Sequence, residues 1–147
     1  MKPSNYYEGI LQLRDVSQEL LDYCENNIPE ELVAYVKKAK NGYDFYMQSN
    51  KFLSSFAKTL QKEFAGEMKK TATLHTRDTK NNKDLYRLTV LFREYDIRKG
   101  EEIEVKGTVY EVLGIHKKLY LKDTNTKKKV HMSFDDYRKQ KGHLVRR

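Results

Sequence analysis

Six lysines crowd the C-terminal third of this chain: Lys117, Lys118, Lys122, Lys127, Lys128 and Lys129, with His116 and Tyr120 among them. Lysine ammoniums suit phosphate contact without selecting a base, and a tyrosine ring beside them offers a surface for an unpaired base. Turns punctuate this stretch, so hairpin geometry is expected to bring the lysines to one end of a small β-module. The competing reading is a solvated charge run that keeps edge strands from aggregating; RNA contact is weighed above it. A second basic group is Arg77, Lys80, Lys83 and Arg87 around an expected hairpin, with Arg93, Arg98 and Lys99 at a junction. Guanidinium forks hold phosphate bidentately. Engagement of about six phosphates predicts a log–log salt slope of roughly −5 on duplex-like sites.

Signatures of other chemistry are missing. There is no Gly-rich phosphate loop, no GxSxG elbow and no HExxH. His75, His116, His131 and His143 are not at metal spacing with carboxylates, so neither a metal nor a cofactor is assigned. Cys24 stands alone, which excludes internal disulfides and a cysteine-cluster zinc site, and its place in an apolar stripe reads as a buried structural thiol. Asp135-Asp136 reads as a helix cap or turn closure rather than a catalytic pair. No helix-turn-helix, RRM signature or zinc finger is visible, which favours recognition of a structured surface over a short sequence. The chain is not expected to be an enzyme.

The elements that must position these residues begin with a strand, Tyr6 to Arg14, whose Tyr7, Gly9, Leu11 and Leu13 share one face. Asp15 and Gln18 have capping-box spacing and predict a helix carrying Val16, Leu20, Leu21, Cys24 and Ile28; Pro29 ends it or opens the next helix at its first position. A second helix is expected over Leu32, Val33, Val36 and Ala39, with Lys37, Lys38 and Lys40 in its last turn and Asn41-Gly42 closing it. Tyr43 to Met47 reads as a short strand. Ser49 or Asn50 caps the next helix, where Phe52, Phe56, Leu60 and Phe64 recur every four residues and Gly66 marks the stop. Met68 to Thr76 is a weaker strand, joined by Asn81-Asn82-Lys83 to the strand Leu85–Glu94. In that strand Tyr86, Leu88, Val90 and Phe92 form the core face, and Arg87 and Arg93 the other.

A break at Tyr95 to Gly100 precedes four short strands, Glu102–Lys106, Thr108–Ile115, Leu119–Asp123 and Lys128–Phe134. The expected fold is α+β: a mixed or antiparallel sheet with helices on one face, then a small SH3-like or OB-like all-β barrel. The expected division is residues 1–97, 98–135 and a basic tail, 136–147. Five Lys/Arg and no acid lie from Tyr137 onward, so the tail is expected to order only on a partner.

Composition points the same way. The net charge is +8, but residues 1–66 carry 8 Lys/Arg against 9 Asp/Glu, and residues 67–147 carry 21 against 12. Such asymmetry points to a polyanion-binding face. With 38% hydrophobic and 12% aromatic residues a globular fold is expected. No apolar run approaches a membrane span and no signal-peptide core is present, so a cytoplasmic location is expected.

Three ordered blocks carry a resemblance: YYEGILQLR at Tyr6–Arg14, GYDFYM at Gly42–Met47 and DLYRLTVLFRE at Asp84–Glu94. Together they resemble the archaeal branch of the nuclear export adaptor of the large ribosomal subunit, the family first named after nonsense-mediated decay. RKGEEIEVKGTVYEVLGI, Arg98 to Ile115, is similar to the family's following β-module, with Gly100-Glu101 where a Gly-Asp turn is common. The resemblance implies a non-catalytic factor that binds the large subunit late in maturation, or during translation. Its implied partners are ribosomal RNA and large-subunit ribosomal proteins. Two family features have no counterpart in these residues. Paired CxxC zinc ribbons do not precede Tyr6, and the leucine-rich export signal is absent, so zinc binding and export do not carry over. Either this is a minimal prokaryotic form or a partner protein supplies the ribbons. The oligomeric state is not legible. The alternative function is a protein-interaction adaptor that recruits a partner through exposed edge strands.

Overall fold

The computed structural model describes residues 6–78 and 83–145, without side chains at 75–78, 83 and 84. The chain divides into two compact units, Met1–Lys58 with Glu67–Glu94, and Thr59–Gly66 with Tyr95–Arg147.

The first unit is built on β1 (Gly9–Arg14), β2 (Val33–Ala39), β3 (Gly42–Met47), β4 (Gly66–Asp78) and β5 (Lys83–Glu94), in the sheet order β2-β3-β1-β5-β4. β1 runs parallel to β5 and antiparallel to β3, so the sheet is mixed. Alternation buries Leu11 and Leu13 of β1, Phe45 and Met47 of β3 and Val90 and Phe92 of β5 on one face. Helices α1 (Gln18–Asn27) and α2 (Asn50–Glu63) belong to that side. A side chain at Gly9 would strike Asn50 and Leu53 of α2, and Tyr23 of α1 stacks against Phe56 of α2 at 6.1 Å. Each fully buried leucine here contributes about 1.5–3 kcal/mol.

Several local expectations are corrected. Ser17, not Asp15, caps α1, its hydroxyl accepting from the N–H of Leu20 at 3.2 Å. Asp15 is in the left-handed region, with φ 54°, and its N–H donates to the carbonyl of Asn41. The second expected helix is a single 3-10 turn, Glu30–Leu32, followed by strand β2. Val33, Tyr35 and Val36 favour extended backbone, and β2 pairs with β3 from Val33↔Met47 to Ala39↔Gly42. Asn41-Gly42 is therefore not a helix end: Lys40-Asn41 is the hairpin turn, with Asn41 at φ 65°, and Gly42 opens β3. Gly42 is required by close approach, because a Cβ there would run into the backbone carbonyl of Leu13.

On α2 the buried stripe is Leu53, Phe56, Ala57 and Leu60, while Phe52 and Phe64 are half-buried. Ser49 Oγ accepts from the N–H of Phe52, and Glu8 Oε1 from that of Asn50. Gly66 opens β4 instead of stopping the helix. Tyr86, expected in the core, is 50% exposed. Pairing of β5 with β1 starts only at Leu88, so Tyr86 stands beyond the covered part of the sheet. Lys80, Asn81 and Asn82 lie outside the described residues.

In the second unit β6 (Glu102–Val105), β7 (Thr108–Ile115), β8 (Leu119–Asp123), β9 (Lys129–Met132) and β10 (His143–Leu144) form an antiparallel sheet in the order β10-β6-β7-β8-β9. Among the described residues β9 and β10 do not pair, so the expected barrel is not closed by hydrogen bonds. The core gathers Ala65, Ile97, Ile103, Val105, Val112, Leu119, Leu121, Phe134 and Tyr137. Residues 136–145 of the stretch expected to order only on a partner fold into this unit. Helix α3 (Phe134–Lys139) is capped by Ser133, whose hydroxyl accepts from the N–H of Asp136. Tyr137 is 2% exposed, and β10 pairs with β6. An apolar phenol on the helix and a strand partner beyond it outweigh the basic composition. Asp135 lies in the first turn of α3, paired with Arg138 and Lys139, which hold its carboxyl below 3.8.

Among the described residues no helix is long and apolar enough to cross a membrane.

Candidate nucleic-acid interface

β8 supplies the centre of the basic surface. Its alternation buries Leu119 and Leu121 completely and sends Tyr120 and Lys122 outward. Antiparallel pairing sets His131 beside Tyr120 and Lys129 beside Lys122. The rings of Tyr120 and His131 lie 6.5 Å apart, and Tyr120 is 43% exposed. Lys122 Nζ is 3.6 Å from Glu111 Oε1 on the neighbouring β7.

Lys117 and Lys118 occupy the turn between β7 and β8, and Lys127 and Lys128 the turn between β8 and β9. Successive turns of an antiparallel meander fall at opposite ends of the shared strand. The expected single cationic end is thus corrected to a strip, its two pairs of turn lysines separated by a strand of roughly 15 Å. Lys117 Nζ is 4.0 Å from Glu63 Oε1, a long pair between an exposed lysine and a half-buried glutamate and of little energetic weight.

The β8–β9 turn is held by Asp123. Its Oδ1 accepts from the N–H groups of Asn125 at 2.8 Å and Thr126 at 3.2 Å. Those two donors hold the carboxyl below its ordinary value of 3.8. The backbone of the same residue accepts from Lys127 N and donates to the Lys128 carbonyl, at 2.8 and 2.9 Å. Lys127 and Lys117 sit in the left-handed region, with φ 63° and 62°, where a Cβ costs about 1 kcal/mol.

Arg87 and Arg93 share a face of β5 but lie six residues, or about 20 Å, apart along it. Arg93 Nη1 is 3.8 Å from Asp15 Oδ2. Arg98 belongs to the second unit, where its Nε pairs with Asp96 at 3.2 Å. The side chains of Arg77 and Lys83 lie outside the described residues.

Sequence reasoning missed a second set on the helix-free face of the first sheet. Register places Tyr35 of β2 opposite Tyr46 of β3, and Lys37 opposite Asp44. Tyr35 and Tyr46 stack at 4.3 Å, and Tyr7 meets Tyr46 edge-on at 4.9 Å. The signal was present in the alternation of YVKK and YDFY on either side of the Lys40-Asn41 turn. A helix over residues 32–40 does not set Tyr35 and Lys37 in register with Tyr46 and Asp44, as the strand does.

Among the described residues no group of three or more His, Cys, Asp or Glu is placed to hold a metal. A family model described as NMD3, second domain, matches residues 6–93. No curated protein matches the chain.

Proposed function

Because this chain belongs to the NMD3 family, we propose that it is a non-catalytic factor that binds ribosomal RNA in maturation or translation of the large ribosomal subunit. The family is a non-catalytic adaptor family, and membership implies a role linked to the large subunit. The observation that carries the RNA reading is the outward face of β8 and β9. It aligns Tyr120 with His131 and Lys122 with Lys129, between turns that carry Lys118, Lys127 and Lys128. Lysines along such a strip contact phosphates, and the exposed phenol stacks on a base. Large-subunit ribosomal proteins are the accompanying partners.

Co-sedimentation with purified large subunits tests this. Wild-type protein pellets with subunits at low salt and is released as salt rises, and a variant with Lys117, Lys118, Lys127, Lys128 and Lys129 all changed to Glu stays in the supernatant. Pelleting of that variant at the wild-type level would sink the site.

The second reading is a protein adaptor working through sheet edges. Its specific support is apolar exposure on the two edge strands of the first sheet, Val36 at 47% on β2 and Leu74 at 55% on β4. A protein partner retained after nuclease treatment, without subunit association, would favour it.

A further inference from the structure

We propose that the helix-free face of the first sheet is a separate site for single-stranded RNA, which stacks its bases on Tyr7, Tyr35 and Tyr46. This deepens the RNA reading above and rests on it for the class of ligand, but it stands on different residues in a different unit.

Strand register builds the site. Tyr35 and Tyr46 are opposed across the β2–β3 hairpin, with interplanar angle 16°. Tyr7 contacts both edge-on, at 6.1 and 4.9 Å. A cation stands at each end of this aromatic group. The Arg87 guanidinium lies 4.1 Å from the Tyr7 ring centre, and Lys37 Nζ lies 5.7 and 5.6 Å from those of Tyr35 and Tyr46. Among the described residues of β1, β2, β3 and β5 on this face, Ile10, Gln12, Asp44, Tyr46, Thr89 and Leu91 are half-buried, and Lys37 and Arg93 are exposed. The opposite face of the same strands is the core.

Charge decides the occupant. Two neighbouring acids, Asp44 and Glu8, already have partners, Asp44 through an ion pair. Asp44 pairs with Arg14 Nη1 at 2.8 Å, with both side chains more than four-fifths buried. Glu8 accepts from the N–H of Asn50 and from the hydroxyl of Tyr6. Cations flanking rings without free acid between them fit a ligand that alternates negative charge with flat apolar surface. Unpaired RNA has that alternation, with phosphates at intervals and a π-face on every base. A duplex hides its base faces, and an acidic peptide supplies charge without rings. The Tyr7–Tyr35–Tyr46 contacts also hold the rings in place before a strand arrives, which lowers the ordering cost of binding.

The test is fluorescence anisotropy of the full chain with a labelled ten-nucleotide oligouridylate. The Tyr35→Leu/Tyr46→Leu variant is expected to lose about tenfold in affinity or more, whereas Tyr35→Phe/Tyr46→Phe binds within about twofold of wild type, since stacking needs rings and not hydroxyls. Lys37→Gln with Arg87→Gln lowers the salt slope by about one per cation that meets a phosphate. Ultraviolet crosslinks mapped by mass spectrometry fall on Tyr7, Tyr35 or Tyr46. Unchanged affinity in a folded Leu variant, crosslinks confined to Tyr120, or equal affinity for polyglutamate would each overturn the proposal. If the Leu variant does not fold, weakened binding by the folded Phe variant, with an unchanged slope in the Gln pair, overturns it as well. The five-lysine Glu variant separates the two sites. Loss of subunit pelleting with oligonucleotide binding intact supports both assignments. Wild-type oligonucleotide binding at the tyrosines without subunit pelleting removes the ribosomal reading and leaves this site standing.

Discussion

The guanidinium of Arg87 lies over the ring of Tyr7, its Cζ 4.1 Å from the centroid, while its buried Nε has no acceptor. A cation held by a π-face keeps part of its charge uncompensated, unlike one neutralised by a carboxylate. Strand β5 thereby presents a fixed, partly unsatisfied cation beside an aromatic group contributed by β2, β3 and the segment before β1. Arg14, by contrast, is spent on Asp44 and on the carbonyls of Leu13 and Tyr43. Two arginines of one sheet thus have different tasks, the second tying β1 to β3 and the first facing outward.

Changing Arg87 to Lys keeps the charge but removes the planar contact. A loss of about 1 kcal/mol in stability is expected from the weakened cation–π pair, read as a shift in the urea midpoint. Arg93→Lys, whose guanidinium makes only an exposed 3.8 Å pair with Asp15, is expected to change the midpoint little. Equal shifts in the two variants would show that the Tyr7 contact has no special weight.

Lys127→Gly separates charge from fold. Its φ of 63° is strained for lysine and free for glycine, so the variant is expected to gain up to about 1 kcal/mol in stability. At the proposed interface it is also expected to lower the salt slope of large-subunit binding by about one. Thermal melting and a salt series on the same preparation check both. Unchanged binding in the stabilised protein would remove Lys127 from the interface.

Most of this was legible where one periodicity ruled out the other. The alternation in Asp84–Glu94 and Glu102–Asp123, and the apolar stripe of α2, each predicted their element. Residues 33–40 were not legible in that way, because Leu32, Val33, Val36 and Ala39 fit a helical stripe as well as a strand. The partner strand β3 decided the matter through tertiary pairing that local sequence does not display. The segment after Tyr137 failed for a related reason. Its charge reads as a solvated tail, but one buried phenol and the pairing of His143 with Glu104 fold it in. For the lysines the residue types were readable and their arrangement was not, since the ends of β8 are set by topology.

Cys24 tests the first unit's core. It is fully buried, and burial pushes its thiol from 9.0 up to about 12. The neutral thiol is therefore favoured by folding, so this contribution to stability is whole below pH 9 and is lost as pH rises toward 12. A thiol reagent at pH 8 is expected to leave native protein unmodified and to label one thiol in urea. Cys24→Ala is expected to abolish the alkaline loss that begins near pH 9, leaving one with a higher onset from Tyr137, whose hydroxyl is raised from 10.0 to about 12. Rapid labelling of the native protein would mean that α1 opens readily.

Asp123 links stability to the proposed interface without being cationic itself. Its carboxylate accepts from Asn125 and Thr126, and its backbone bonds to Lys127 and Lys128 fix where those ammoniums start. Because the folded carboxyl is held below 3.8, its contribution is present above that value and is lost as pH falls through the depressed one. Asn at this position keeps the Oδ1 acceptor and loses the titration. Asp123→Asn is therefore expected to bind subunits as wild type at pH 7 and to lack this acid-sensitive step, whereas Asp123→Ala weakens binding at every pH though no lysine is removed. Subunit pelleting at pH 7, with urea melts between pH 2 and 7, distinguishes them. Full binding by the Ala variant would show that the lysines find the RNA without a preformed turn.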